Sequence, residues 1–362
     1  FTRARERIVL RRARIGAARV NVVLTRLDRV GDLILSTPAI ASVRRSWPEA
    51  HVTIVCSSHN ASVMEHNPDV DEIAILPPDG HPAKFGRSFR GRCDIAIALA
   101  PRAPDYSLVG ATRAPIRVGY TYVRRYAARL TSRFFLNRTA LSDADPALSE
   151  RLPARPVRHE VDQVLDLVAL AGGRARDERL VVPIEEADRA AVAHVPSGAI
   201  AFHLGLRWNR HGSTLESATQ LIGELRRFGF PVVVTYGNDA LEQADAVRRA
   251  GVADALAGGL SFGEWAAVFE KCRLVVTVDT GATHVASATR RPTVVLFEHR
   301  YFNLSSREWS PYRVPSVCLR KPPSESPGDL ATSRAEVLGA VESLLALESA
   351  ASSSEMQHGR PT

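Results

Sequence analysis

Short, continuous apolar runs recur along the chain, each bounded by polar or turn-forming residues and followed by a longer stretch of helical periodicity. Unbroken apolar runs mark strands buried on both faces. Their alternation with helices predicts an α/β protein built on parallel sheets. In the first half the runs fall at Val20–Thr25, His51–Cys56, Glu72–Leu76, Asp94–Leu99 and Ile116–Gly119. A helix is expected over 33–46, with Pro38 early in it. Residues 140–159, rich in Pro, Arg and Asp, read as a connecting loop. A helix over 160–171 ends at Gly172-Gly173, a C-cap signal.

The second half repeats the pattern. Strands are expected at Ala199–His203, Val232–Tyr236 and Leu274–Val278, and again after Pro292. Helices are expected over 214–228, closed by Gly229, and over 240–250 and 333–349. Ser261 with Glu264 forms a capping box for a further helix reaching about Lys271. A chain of 362 residues suits two domains of ~150 residues each. The expected division is a basic extension at 1–19, one Rossmann-like domain at 20–185, a second at 186–349 and a polar, disordered tail at 350–362.

Composition changes this picture little. The chain is 45% hydrophobic and 24% charged, as ordinary globular proteins are. No apolar run reaches the ~18 residues of a membrane-spanning helix. The net charge of +8 is carried almost wholly by arginine, since Lys84, Lys271 and Lys321 are the lysines. Such an excess favours anionic partners. No zinc-finger spacing or aromatic-basic RNA motif accompanies it, which argues against nucleic acid. Cys56, Cys93, Cys272 and Cys318 are far apart and match no metal spacing, and a reducing compartment is expected. The Arg-rich residues 1–19 lack the apolar core of a secretory signal and read as a basic helix, solvated or lying on a membrane surface.

Two segments carry candidate chemistry. The first strand runs into RLDRVGDLILSTPAI, where Gly31 is expected to permit a tight turn and Asp32 to stand at the helix start. An aspartate there is commonly an N-cap. Its other reading is a general base that takes a proton from an attacking hydroxyl. In the second segment, LVVTVDTGATHVASATRRPTVVLFE at 274–298, a buried strand feeds Asp279-Thr280-Gly281 and a small-residue helix carrying His284. Helix N-termini at strand ends bind phosphates through backbone N–H groups and the helix dipole. Asp279 also reads as a cap, and His284 as a core histidine.

Together these segments resemble glycosyltransferase family 9, the ADP-heptose:lipopolysaccharide heptosyltransferases. RLDRVGDLILSTPAI with Arg44, Arg45 and Pro48, and VDTGATHVASAT with PTVVLF, carry the resemblance. His203-Leu204-Gly205 and Tyr236-Gly237-Asn238-Asp239 link them more loosely, so that it spans roughly residues 20–345. The resemblance implies a GT-B fold, two Rossmann-like domains with the active site in the cleft between them. It implies an inverting transfer that needs neither metal nor cofactor, with Asp32 as catalytic base. A nucleotide sugar, ADP-heptose, is the implied donor. Donor-binding positions fall on Arg210, Asp239, Leu260, Asp279, Thr280, Gly281 and His284. Arg210 stands where the family usually has lysine, and Asp239 where it often has glutamate. An anionic glycan or glycolipid acceptor is implied for the first domain, with Arg87, Arg90, Arg117 and Arg124 as weaker candidates. The implied location is cytoplasmic, peripheral to the inner membrane. Another nucleotide sugar, or a degenerate module that binds without transfer, is the alternative. A Rossmann dehydrogenase is disfavoured because no G-x-G-x-x-G follows a strand.

Overall fold

The computed structural model describes residues 19–143, 145, 156–209, 215–323 and 330–358. The expected basic extension therefore lies almost wholly outside the described residues, and Arg210 lies outside them too. The chain forms two compact units. One runs to Asp145 and resumes over Arg158–Val181; the other holds the intervening segment and everything from Val182 onward.

The first unit is a parallel sheet of β1 (Asn21–Arg26), β2 (His51–Ser57), β3 (Glu72–Leu76), β4 (Ile95–Ala98), β5 (Ile116–Tyr122) and β6 (Arg138–Ser142), in the order β3-β2-β1-β4-β5-β6. Its helices are α1 (Val30–Ser46), α2 (Pro82–Gly86), α3 (Ala103–Thr112), α4 (Tyr126–Ser132) and α5 (Glu160–Ala171). The second unit repeats the scheme with β7 (Ile200–Leu204), β8 (Val232–Tyr236), β9 (Ala255–Gly258), β10 (Leu274–Val278), β11 (Thr293–Phe297) and β12 (Ser316–Arg320), in the order β12-β11-β10-β7-β8-β9. Its helices are α6 (Glu186–Ala191), α7 (Leu215–Leu225), α8 (Leu241–Ala250), α9 (Phe262–Lys271), α10 (Gly281–Ala288), α11 (Phe302–Glu308) and α12 (Leu330–His358).

In both sheets the strand order reverses at the first strand of the unit, between β1 and β4 and between β7 and β10. Ligands of open α/β sheets bind at such switch points, beyond the carboxyl ends of the strands. The central strands are buried along nearly their whole length, which explains their apolar runs. The second core gathers Phe202 stacked on Trp208, Leu221, Ile222 and Leu225 of α7, and Val337, Val341 and Leu344 of α12. All four cysteines are free thiols.

Several expectations are corrected. The edge strands β6, β9 and β12 were not foreseen, and β6 runs into residues 140–142, expected to belong to a connecting loop. Helix α12 continues to His358, into the stretch expected to be a disordered tail; no glycine or proline interrupts residues 340–358. Gly31 makes no turn. Arg29, extended at φ −101° and ψ 158°, is the N-cap of α1, and Gly31 is its second residue. The capping box of α9 forms as expected, Glu264 N donating to Ser261 Oγ at 3.1 Å and Ser261 N to Glu264 Oε2 at 2.8 Å.

Because α1 starts at Val30, Pro38 lies in the helix interior. It cannot donate to the carbonyl of Ile34. Thr37 replaces that donor, its Oγ1 reaching Ile34 O at 2.7 Å, and the same oxygen accepts from Val181 N at 2.9 Å. Thr37→Val keeps the shape but takes away the hydroxyl that serves the Ile34 carbonyl and the Val181 N–H. It is expected to lower unfolding free energy by ~1–3 kcal/mol, read as a lower urea midpoint at unchanged slope.

Candidate functional site

The first unit concentrates buried charge at its switch point. Arg26, the last residue of β1, has a side chain only 3% exposed. Its Nε donates to Asp28 Oδ1 at 2.8 Å, and its Nη1 to Glu160 Oε1 at 2.7 Å and to Leu99 O, past the end of β4, at 2.6 Å. Its Nη2 lies 3.3 Å from Asp32 Oδ1. Tyr120 OH donates to the same Glu160 carboxylate at 2.9 Å. Asn60 Nδ2 fixes the backbone by donating to Arg26 O at 3.0 Å. Burial disfavours the Arg26 charge, but Asp28, Glu160 and Asp32 outweigh it and hold its pKa well above the usual value.

Asp32 is therefore not a cap. It is the third residue of α1, its side chain 17% exposed, and it is held from below by Arg26. Burial raises its pKa most and Asp28 adds to the rise. Arg26 opposes both, and the carboxyl titrates at about 7. A carboxylate that is half protonated near neutrality and still reaches solvent is well matched to accepting a proton. Asp105, in the first turn of α3, is a second perturbed carboxyl, and motif reading missed it. Its Oδ1 accepts from Thr25 Oγ1 at 3.1 Å and Leu27 N at 3.3 Å, tying the exit of β1 to α3. Its Oδ2 has no partner among the described residues, and burial, then Asp28, push it up to about 7.

The arginines expected to bind an acceptor do not form one group. Arg90 Nε donates to Ala111 O at 2.9 Å, and Arg117 to Phe135 O at 2.8 Å and Ala114 O at 2.6 Å. Both lie beside strand beginnings, on the sheet edge opposite Asp32. Arg87 donates to Ala83 O within its own segment. Arg124, two residues past β5 and exposed, lies on the Asp32 edge.

In the second unit the expected donor residues follow neighbouring strands on one sheet edge. Asp279, Thr280 and Gly281 follow β10, Asp239 follows β8, and Leu260, half-buried, follows β9. Thr280 is the N-cap of α10, but its Oγ1 turns back to Val278 O at 3.2 Å. The first N–H groups of α10 are thus left for another acceptor, as at any helix start. Asp279 does not cap either. Its carboxylate and carbonyl both accept from Arg207, the former at 3.1 Å. Lys321, buried at the end of β12, donates to the Arg207 carbonyl and fixes that loop in turn. Arg207 spans the switch point between β7 and β10 and was not singled out beforehand; a contact between residues 72 apart leaves no local pattern. His284 is buried within α10. His203, at the end of β7, bonds Thr235 Oγ1 at 3.0 Å and packs over Trp265. Burial pushes it down to about 4, so it is neutral at physiological pH. Among the described residues there is no cluster of metal-ligating side chains, and no helix is long and apolar enough to cross a membrane.

Residues 83–328 match the profile of glycosyltransferase family 9 (heptosyltransferase). Lipopolysaccharide heptosyltransferase 3 of Escherichia coli is 23% identical over 300 residues, covering 77% of this chain and 84% of its own. The structure of a family 9 glycosyltransferase from Veillonella parvula superposes with a TM-score of 0.72 at 23% identity, over 90% of this chain and 97% of that one. The E. coli heptosyltransferase WaaC with ADP-2-deoxy-2-fluoro heptose gives 0.60 at 17% identity, over 84% of this chain and 94% of that one.

A buried carboxyl with a raised pKa favours the native state where it can stay protonated. The stability from Asp105 is full below about pH 4 and is lost as pH rises through about 7. Asp105→Asn keeps the Oδ1 acceptor and cannot ionise. It is expected to flatten the fall in stability between pH 4.5 and 8 by ~4 kcal/mol at most, measured as urea midpoints across that range. A variant curve parallel to that of the parent rules out the buried charge.

Proposed function

The chain belongs to glycosyltransferase family 9, the heptosyltransferases, and from that premise we propose an inverting, metal-independent transfer of heptose from ADP-heptose to a lipopolysaccharide core or related envelope glycan. Its two six-stranded parallel units are those of the GT-B fold. The second unit binds the nucleotide sugar. The diphosphate rests on the N–H groups opening α10, with Thr280 and Gly281 at the turn and Arg207 holding Asp279 in place. Asp239, Leu260, His284 and Arg210 complete the donor site in this reading. WaaC, solved with a fluorinated ADP-heptose, supports the choice of donor. The first unit supplies Asp32.

In the reaction an acceptor hydroxyl attacks the anomeric carbon from the face opposite the leaving group. Asp32 takes the hydroxyl proton as the new C–O bond forms. The bond from the anomeric carbon to the diphosphate breaks, its electron pair passing to ADP. The charge that appears on the leaving oxygen faces fixed backbone dipoles, which need no reorganisation. The work takes place on the cytoplasmic side of the inner membrane.

The observation that carries this reading is the Asp32 carboxyl, mostly buried beside Arg26 and titrating at about 7. Asp32→Asn is expected to lower transfer by about 10²–10⁴-fold while ADP binding stays intact. For the parent, kcat/KM should climb tenfold per pH unit up to about 7 and then level, because only ionised Asp32 accepts a proton. EDTA should leave the rate unchanged. Normal turnover by the Asn variant would remove Asp32 from the mechanism.

The donor assignment is read by calorimetry with ADP, UDP, GDP and dTDP. ADP is expected to bind most tightly. Arg207→Ala and Arg210→Ala are each expected to weaken it about tenfold, since losing a charge-assisted contact or its support is worth roughly that much. Equal affinity for all four nucleotides would set ADP-heptose aside.

A further inference from the structure

The first unit leaves one helical face unpartnered. Tyr126, Leu130 and Phe134 are 74%, 62% and 81% exposed, the most open large apolar side chains described in that unit. They stand four residues apart. Beyond α4 the helical path continues through Arg133 N to Leu130 O at 3.3 Å and Phe134 N to Thr131 O at 3.1 Å. The three side chains therefore share one face. The other face is docked: Ser132 and Leu136 are buried, and Phe135 packs so closely on α3 that a Cβ at Gly110 would come within 2.7 Å of its ring. Solvent-facing stripes of a surface helix are normally polar.

Arginines frame this apolar face. Arg125 is neutralised by Asp145, its Nη2 donating at 2.7 Å. Arg124, Arg129 and Arg133 make no ion pair among the described residues; Arg129 donates to Val123 O at 3.1 Å and lies over the Tyr126 ring at 5.8 Å. A protein partner with a matching apolar groove would not need these charges at its rim. An anionic bilayer uses both features, since aromatic and leucine side chains enter the headgroup boundary while guanidiniums meet lipid phosphates.

We propose that α4 and the turn after it form a docking element for an anionic lipid surface, with Tyr126, Leu130 and Phe134 inserted and Arg124, Arg129 and Arg133 on the phosphates. α4 starts beyond the carboxyl end of β5, the end of the sheet that also carries Asp32, and the chain runs back to Phe135, whose carbonyl Arg117 holds at the opposite end, so the apolar face lies along the side of the unit. Docking on this face brings the unit that supplies Asp32 to the bilayer, where a lipid-anchored acceptor is held. The proposal deepens the transferase reading, but lipid binding itself requires neither donor nor acceptor.

The test is co-sedimentation of the full chain with vesicles of equal parts phosphatidylglycerol and phosphatidylcholine, and with phosphatidylcholine alone. Binding is expected only to the anionic vesicles and should weaken with salt. The exposed triple variant Tyr126→Ser, Leu130→Ser, Phe134→Ser should lose about tenfold or more of this partitioning. Leu347→Ser, at an exposed leucine of α12, should lose none. Tyr126→Trp should shift its emission to the blue on adding anionic vesicles. Failure of the parent to bind them, unchanged partitioning of the triple variant, or a parent dimer that the triple variant abolishes without lipid binding would each overturn the proposal. Calorimetry of ADP on the same preparations reports the donor site separately, so the two readings fail independently.

Discussion

The first unit depends on one buried guanidinium. A charge taken out of water is tolerable only when opposite charges and hydrogen bonds surround it. Arg26 has both, reaching Asp28, Asp32, Glu160 and the Leu99 carbonyl from the end of β1. These partners come from four places in the sequence, so the side chain joins β1, α1, β4 and α5 at the switch point. The same arrangement sets the chemistry. More carboxylates surround Arg26 than one guanidinium can neutralise. Asp32 is held at the longest of these separations and keeps some exposure. Its affinity for a proton rises, because burial and Asp28 outweigh Arg26. Structural anchor and raised proton affinity are two consequences of one cluster.

The second unit solves the opposite electrostatic problem with the same strand order. In the proposed reaction it has to receive negative charge, not retain a proton. Asp279, which would repel a phosphate, has its carboxylate occupied by Arg207. His203, which burial holds neutral, contributes packing against Trp265 in place of charge. What remains at the edge is the start of α10, a fixed array of N–H dipoles. Such an array binds anions without bringing a mobile countercharge, which suits a leaving group whose charge grows during reaction.

The sequence made the framework legible where burial was two-sided. β1, β2, β4, β10 and β11 are continuous apolar runs because both of their faces are covered. Three of the four edge strands escaped for the complementary reason. Arg138–Ser142, Ala255–Gly258 and Ser316–Arg320 are short, and polar or small residues suffice for them. At the site, Asp32 and the Asp279–Gly281 turn were visible as strand-end motifs. Their partners were not, since Arg26–Glu160 and Arg207–Asp279 are contacts across 134 and 72 residues. Local pattern also offered a cap as one reading of both Asp32 and Asp279, and neither caps its helix. An aspartate near a helix start is a cap only if no stronger donor reaches it, and in both cases an arginine does.

The charge of the chain illustrates the same limit. A net excess of +8 carried by arginine invites one large anionic partner, yet the arginines do unlike work. Arg26 is interior, Arg207 braces a turn, and Arg90 and Arg117 hold backbone carbonyls at the sheet edge away from Asp32. Each is a cation already committed to oxygen atoms of its own chain, and guanidinium geometry favours such multiple bonding over a lone ammonium. Composition cannot separate these from arginines that face outward. Only those without an ion pair among the described residues, beside exposed apolar side chains, bear on where the protein would meet an anionic surface.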